Sequence, residues 1–389
     1  VEQVFAPQPF SNQLPDHTAM IPLDIEQLHH QAIVIDMHAD TILRVLDEGA
    51  DLAAGADGWH LGLPAMRAGG VDAQFFSIWA DPYEYWGAEA SDRAFALIGA
   101  LDGQLEKHPN LLERALTAED IRRISAVGKV AALMGVEGGH AINDDLEVLR
   151  EFHQRGVRYL TLTHSRTTNW AGSSGDLEGQ STGLSAFGSE VVREMNRLGM
   201  LVDISHVSDQ TFWEVLRVAR KPVIASHSGA RTLANHHRNM TDAMLRAVAA
   251  TGGVVCVVFY PIFLDEEYAT AAWDVLESLA SEFAELEASL DRVAAGYAKD
   301  RLSATALQTR VRPMPYTRLA DHIEYIARLI GTAHVGLGSD YDGINCVPAG
   351  LETGAGLPLL TAELARRGFN AQQLEQILGG NILRVMDAQ

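Results

Sequence analysis

The stretch AIVIDMHAD, residues 32–40, starts as an apolar run fit for the core of a sheet and finishes in Asp36, His38 and Asp40 at alternate positions. Alternate residues of a strand share one face, so the three polar side chains are expected to point the same way. Carboxylates and imidazoles persist in an interior when they are paired, hydrogen-bonded or bound to a cation. The stretch therefore raises two questions: which sheet it belongs to, and what meets its polar end.

Seven further β-rich runs follow it: VDAQFFSIWA (71–80), AALMGVEG (131–138), VRYLTLTH (157–164), LVDISH (201–206), PVIASH (222–227), GVVCVVFY (253–260) and HVGLGSD (334–340). The intervals carry helical patterns, as in SDRAFALIGALDGQLEKH (91–108) and in SDQTFWEVLRVARK (208–221), which opens with a Ser-Asp start signal. Strands alternating with helices make βαβ units and a parallel sheet, and eight of them predict a closed (β/α)8 TIM barrel. One interval, 261–333, is too long for a simple crossover. Within it AAWDVLESLASEFAELEASLDRVAAGYAK (271–299) reads as one extended amphipathic helix. The expectation is a single barrel domain over residues 1–389, with a helical insertion between strands seven and eight. That insertion reads equally as an exposed excursion, a subunit contact or a lid. Residues 1–22, with Pro7, Pro9, Pro15 and Pro22, read as an irregular leader.

Composition narrows the function. Thirty Lys and Arg against 51 Asp and Glu give a formal charge of -21, which repels nucleic acid and anionic membranes and favours small-molecule chemistry. No apolar run is long enough to span a bilayer. Cys256 and Cys346 are the only cysteines, so neither a disulfide framework nor a thiolate zinc site is expected, though a single pairing stays open. No basic-then-apolar leader is visible and the chain begins at Val1, where one could have been removed. The compartment is thus left open between cytoplasmic and periplasmic or secreted, as is a homo-oligomer.

Polar residues gather at the ends of the runs. His38 and Asp40 close the first, Glu137 the third, His164 the fourth, His206 the fifth, His227 the sixth and Asp340 the eighth. A lone imidazole there is ordinarily a hydrogen-bonded core residue, and Glu137 among its glycines reads as a loop carboxylate. Their coincidence at the C-terminal ends of six strands, where a TIM barrel builds its active site, carries the inference. Imidazole and carboxylate without thiolate suit Zn²⁺, with Mn²⁺ or Co²⁺ as substitutes. One ion is expected on His38 and Asp40, another on His206 and His227, with Glu137 shared because two close cations need a common negative charge. Such a pair can hold a hydroxide and polarise a carbonyl, which is hydrolytic machinery.

The motifs DMHAD (36–40), GVEGGH (135–140), LTLTH (160–164), DISHVS (203–208), SHS (226–228), RN (238–239) and GLGSDYDG (336–343) together resemble the membrane (renal) dipeptidase family of the amidohydrolase superfamily. The resemblance runs from about residue 32 to GGNILRV (379–385). It implies a binuclear zinc dipeptidase with His38, Asp40, Glu137, His206 and His227 as metal ligands. It further implies that His164 meets the substrate carbonyl or its oxyanion, that Arg238 takes the C-terminal carboxylate of a small dipeptide, and that Asp340 handles the proton of the attacking water. Val258, Asn169 and Thr241 depart from residues common in the family, so side-chain preference stays open. Asp36 and His140 read as orienting or packing residues, and His236 and His237 as loop groups near the mouth. The rival readings are another amidohydrolase activity, on N-acyl-amino acids or a peptide-derived metabolite, and a non-catalytic barrel used for binding.

Overall fold

Nine strands form one parallel sheet in the computed structural model, which describes residues 24–55, 58–177 and 179–389. The leader expected over residues 1–22 lies outside them. The strands are β1 (Val34–Ala39), β2 (Val71–Trp79), β3 (Leu112–Arg114), β4 (Val130–Glu137), β5 (Val157–Thr161), β6 (Leu201–Asp203), β7 (Ile224–Ser228), β8 (Val254–Val257) and β9 (Val335–Leu337). Pairing of β2 with both β1 and β4 closes eight of them into a barrel. The eight barrel strands are the eight runs read from the sequence. The extra strand β3 shares one edge of β4 with β5: it pairs with Val130–Ala132, whereas β5 pairs with Met134–Glu137. Three residues are too few to show an alternating pattern, which is why β3 escapes a reading by periodicity.

Every residue of β1, β4, β7 and β8 is buried. Strands covered by helices outside and by side chains inside read as continuous apolar runs rather than as half-polar ones. The connections end where local chemistry dictates. Ser208 caps the helix Asp209–Val218 by accepting from the Thr211 N–H, the start that the Ser-Asp pair announces.

The interval 261–333 differs from expectation. The single helix read over 271–299 is three: Glu266–Glu277, Ala280–Ser289 and Arg292–Arg310. Composition favours helix throughout, but the side chain of Asp291 caps a new start through the Ala294 N–H, 3.0 Å away. That break lets the third helix fold back onto the barrel. Tyr297 Oη donates to Asp47 at 2.9 Å, and Arg301 meets Glu48 at 3.0 Å. A further helix, Thr317–Ile330, then leads into β9. Cys256 and Cys346 are both free thiols, and among the described residues no helix is long and apolar enough to cross a membrane.

Gly135 of β4 lies opposite Tyr159 of β5, and a Cβ there would overlap the fully buried tyrosine ring. Gly135→Ala should therefore destabilise the chain by about 1–3 kcal/mol, the usual range for overpacking a core. Urea unfolding measures this; a midpoint equal to wild type would mean that the barrel interior yields freely at this point.

Candidate metal centre

The parallel barrel brings residues distant in sequence to one end. His38 lies on β1, Glu137 ends β4 and His227 lies on β7, while Asp40, His164, His206 and Asp340 follow the ends of β1, β5, β6 and β9. His206 and Asp340 hold left-handed backbone, with φ of 65° and 63°. Such conformations cost non-glycine residues roughly 1–3 kcal/mol and gather at functional sites. Gly343 leaves the room that two of these groups need, because a Cβ there would overlap the Asp40 carboxylate and crowd Asp340.

Glu137 sits at the middle of the cluster. Its Oε2 is 3.3 Å from His38 Nε2, while its Oε1 is 3.0 Å from His206 Nε2 and 3.5 Å from His227 Nε2. One carboxylate thus presents a different oxygen to each of two imidazole sets. Asp40 and Asp340 approach His38 Nε2 at 3.6 and 3.9 Å, and the Nε2 atoms of His206 and His227 are 2.9 Å apart. Zinc bonds of about 2.0–2.2 Å in tetrahedral array separate neighbouring ligand atoms by roughly 3.4 Å, so these spacings suit a shared divalent ion. Three overlapping groups have ligand atoms within 4.8 Å of one another: His38, Asp40 and Glu137; Glu137, His164 and His206; and His38, His227 and Asp340. His38 Nε2 and Asp40 Oδ1 are buried without a hydrogen-bond partner among the described residues. Unsatisfied lone pairs of this kind are what a cation would occupy, so the donor set fits a metal.

Electrostatics differ across the cluster: against burial, Tyr159 and Glu137 hold His38 well above the ordinary imidazole value. Burial alone would raise Glu137, but the imidazoles of His38 and His164 outweigh it and hold its carboxyl well below the usual range. Burial, reinforced by the Arg238 guanidinium, depresses His206 and His227 far below the ordinary imidazole value. That direction favours the neutral imidazole that metal ligation requires. Asp340 is raised well above a normal carboxylate by burial and by the adjacent charges of Asp40 and Glu137.

A supporting layer, absent from the sequence reading, aims these ligands. Tyr159 Oη is 2.7 Å from His38 Nδ1, which leaves Nε2 as the free nitrogen. Asp203 accepts from Thr161 Oγ1 and Ser226 Oγ, each at 2.6 Å, and from the backbone of Ser205 and Ser226. Ser226 Oγ in turn meets His227 Nδ1 at 2.9 Å. Ser77 donates to Glu137 Oε2 at 3.1 Å. Polar residues inside otherwise apolar strands were the available signal. Asp36 does not join the metal group: its oxygens accept from Ser339 N–H and Oγ at 2.8 and 2.6 Å, and the β1–β2 register shifts between Asp36 and Ala39. This shift corrects the expectation that Asp36, His38 and Asp40 act on one face. His140 bonds the Ala80 carbonyl and stacks on Trp86, while His334 bonds the Gly253 carbonyl away from the site.

A cavity of about 630 Å³ opens over the cluster. Arg238 lines it, 6% exposed; one guanidinium nitrogen donates to the His227 carbonyl at 3.2 Å, and Nε has no partner among the described residues. Burial pushes Arg238 down to about 10, and no carboxylate among the described residues pairs with it. His236 and His237 also line the wall, as do residues of the helix Arg292–Arg310.

Fold and site together define a metal-dependent hydrolase. A sequence profile of the membrane dipeptidase family, peptidase family M19, matches residues 23–389, and the chain belongs to that family. It is 34% identical over 333 residues to dipeptidase aclJ of Aspergillus oryzae, covering 83% of this chain and 68% of that protein. It is 34% identical over 327 residues to dipeptidase 3 of Rattus norvegicus, covering 83% of this chain and 57% of the rat protein. A metallopeptidase of Rhodobacter sphaeroides, crystallised with a phosphinate mimic of the dipeptide L-Ala-D-Ala, superposes with a TM-score of 0.75 at 26% identity, covering 92% of this chain and 99% of that one.

Tyr159→Phe removes the hydroxyl that orients His38 while keeping the ring. Metal affinity should fall about 10- to 100-fold, as for other residues that orient metal ligands, with the apo-protein melting as before. Competition against a chelator reads the affinity; an unchanged value would make Tyr159 a packing residue only.

Proposed function

We propose that the chain hydrolyses free dipeptides to amino acids, with two Zn²⁺ held by His38, Asp40, Glu137, His206 and His227 and with Glu137 shared between them. The single observation that carries this reading is Glu137, whose two oxygens face two separate imidazole sets. When bound, the ions supply Lewis acidity and a water acidic enough to ionise near neutral pH. Mn²⁺ or Co²⁺ would suit the same nitrogen and oxygen donors.

The chain's own groups do the rest. Arg238 offers a buried, planar guanidinium without a carboxylate of its own, matched to the C-terminal carboxylate of a dipeptide. His164, with a side chain 20% exposed, donates to the carbonyl oxygen as negative charge develops there. Asp340, raised by burial, takes a proton and delivers it to the leaving amine. The cavity of about 630 Å³ contains all three groups in one space suited to a small substrate. The dipeptide mimic held by the Rhodobacter sphaeroides relative supports a ligand of this size and extends the expected range to D-residues at the C-terminal position.

Elemental analysis of the reconstituted protein should give about two metals per chain; saturation at one with full activity would remove the shared-carboxylate arrangement. Asp340→Asn should keep the metal and lose at least about 10²-fold in kcat. Parallel loss of metal would instead make Asp340 a ligand. Arg238→Met should lower kcat/KM for a dipeptide roughly 10- to 150-fold, the equivalent of about 1.5–3 kcal/mol of charge-assisted hydrogen bonding. A dipeptide amide should show a comparable loss with the unaltered enzyme, and the two losses should not add. Equal slowing of amide and acid by Arg238→Met would place the carboxylate elsewhere, and faster turnover of N-acetyl amino acids would favour a deacylase.

A further inference from the structure

The wall of the cavity away from the metal cluster carries several carboxylates, and nearly all are already satisfied. Asp47 is held by both guanidinium nitrogens of Arg93 at 2.6 Å and by Tyr297. Glu84 meets Arg292 at 3.2 Å, and Asp342 accepts from Thr41 and the His60 N–H. Asp81 accepts from the Tyr83 N–H in its own turn.

Asp300 is the exception. It lies on the cavity wall as an exposed residue, and no donor among the described residues is within hydrogen-bond distance. Arg44, Lys299 and Arg301 lie near enough to act on its charge, but each closes on a carboxylate other than Asp300. Arg44 approaches Glu48 at 3.5 Å and Asp342 at 3.7 Å, Lys299 meets Glu287 at 2.6 Å, and Arg301 meets Glu48 at 3.0 Å.

Its surroundings suit a long cationic side chain. Val293, Gly296, Tyr297 and Asp300 line the cavity at helical spacing on Arg292–Arg310. The space around Gly296 is open, since a Cβ there would meet nothing within 4 Å. Tyr260 and Trp273 add aromatic surface to the wall, and the helix carrying Trp273 packs against the one carrying Asp300. An aliphatic stem can lie along such rings while its charged head reaches a carboxylate.

We propose that Asp300 is the receptor for a cationic side chain, so that the cavity prefers dipeptides containing arginine or lysine. The proposal deepens the dipeptidase reading and rests on it. The measurement is the ratio of kcat/KM for Arg-Ala over citrulline-Ala, and for Ala-Arg over Ala-citrulline, since citrulline keeps the shape and loses the charge. At least one ratio should be about 10 or more, on the scale of a charge-assisted hydrogen bond. Asp300→Asn should bring that ratio close to one, and Asp300→Lys should invert it. Ratios near one in the unaltered enzyme, or a ratio that survives Asp300→Asn, would overturn the proposal; uniform slowing of all four peptides by Asp300→Asn leaves the ratio intact and counts against it. Calorimetric binding of the same pairs to the metal-loaded chain separates the two readings. An arginine preference in binding without turnover of any dipeptide would overturn the dipeptidase reading alone, whereas turnover with ratios of one would overturn the Asp300 assignment alone.

Discussion

The buried carboxylate of Glu137 makes demands that organise the mouth of the barrel. An ionised carboxylate taken out of water needs positive charge or several donors around it. Here it has the imidazoles of His38, His206 and His227 within 3.5 Å and the Ser77 hydroxyl at 3.1 Å. No local segment could supply these, because they come from β1, β2, β7 and the turn after β6. Only closure of a parallel barrel sets the C-terminal ends of those strands around one point. The same geometry leaves His38 and His227 with the second nitrogen facing the protein, where Tyr159 and Ser226 meet them.

The site is consequently held by the barrel rather than by its loops. Asp203 ties β5, β6 and β7 together beneath the histidines through four donors. Asp36 does the same between β1 and the end of β9, through Ser339. Each is a buried acid that lies outside the ligand set and fixes the strand ends that carry it. This scaffolding offsets the left-handed backbone of His206 and Asp340, a strain that isolated loops would relax.

The helical insertion adds part of the cavity wall above the cluster. Its charges meet partners on the barrel rim, as Arg292 meets Glu84 and Arg301 meets Glu48, so the helix Arg292–Arg310 forms a wall of the cavity. Individual exposed pairs of this kind contribute little stability. Their consequence lies in placement: they engage the rim cations, and among the described residues none of these closes an ion pair on Asp300. Under the two proposals the metal cluster and the insertion would divide the work, chemistry at the strand ends and selection at the wall.

The eight strands and the polar residues at their ends were legible because both are local patterns, a run of apolar residues followed by a side chain that cannot rest in a dry core. His38, Glu137, His164, His206, His227 and Asp340 could therefore be picked out from the strand ends, and Arg238 from its motif. What tertiary structure alone decided is the pairing across strands. The opposed oxygens of Glu137, the bond from Tyr159 to His38 and the Asp203 hub depend on register between segments far apart in the chain, which no periodicity encodes. The three-residue β3 fell below the length at which a period can be seen. The helix expected over 271–299 was broken because Asp291 caps a new start and contacts with the barrel reward the return. Asp300 became distinctive for the same reason: a carboxylate reads alike anywhere in a sequence, and only the folded arrangement of its neighbours leaves it unpaired.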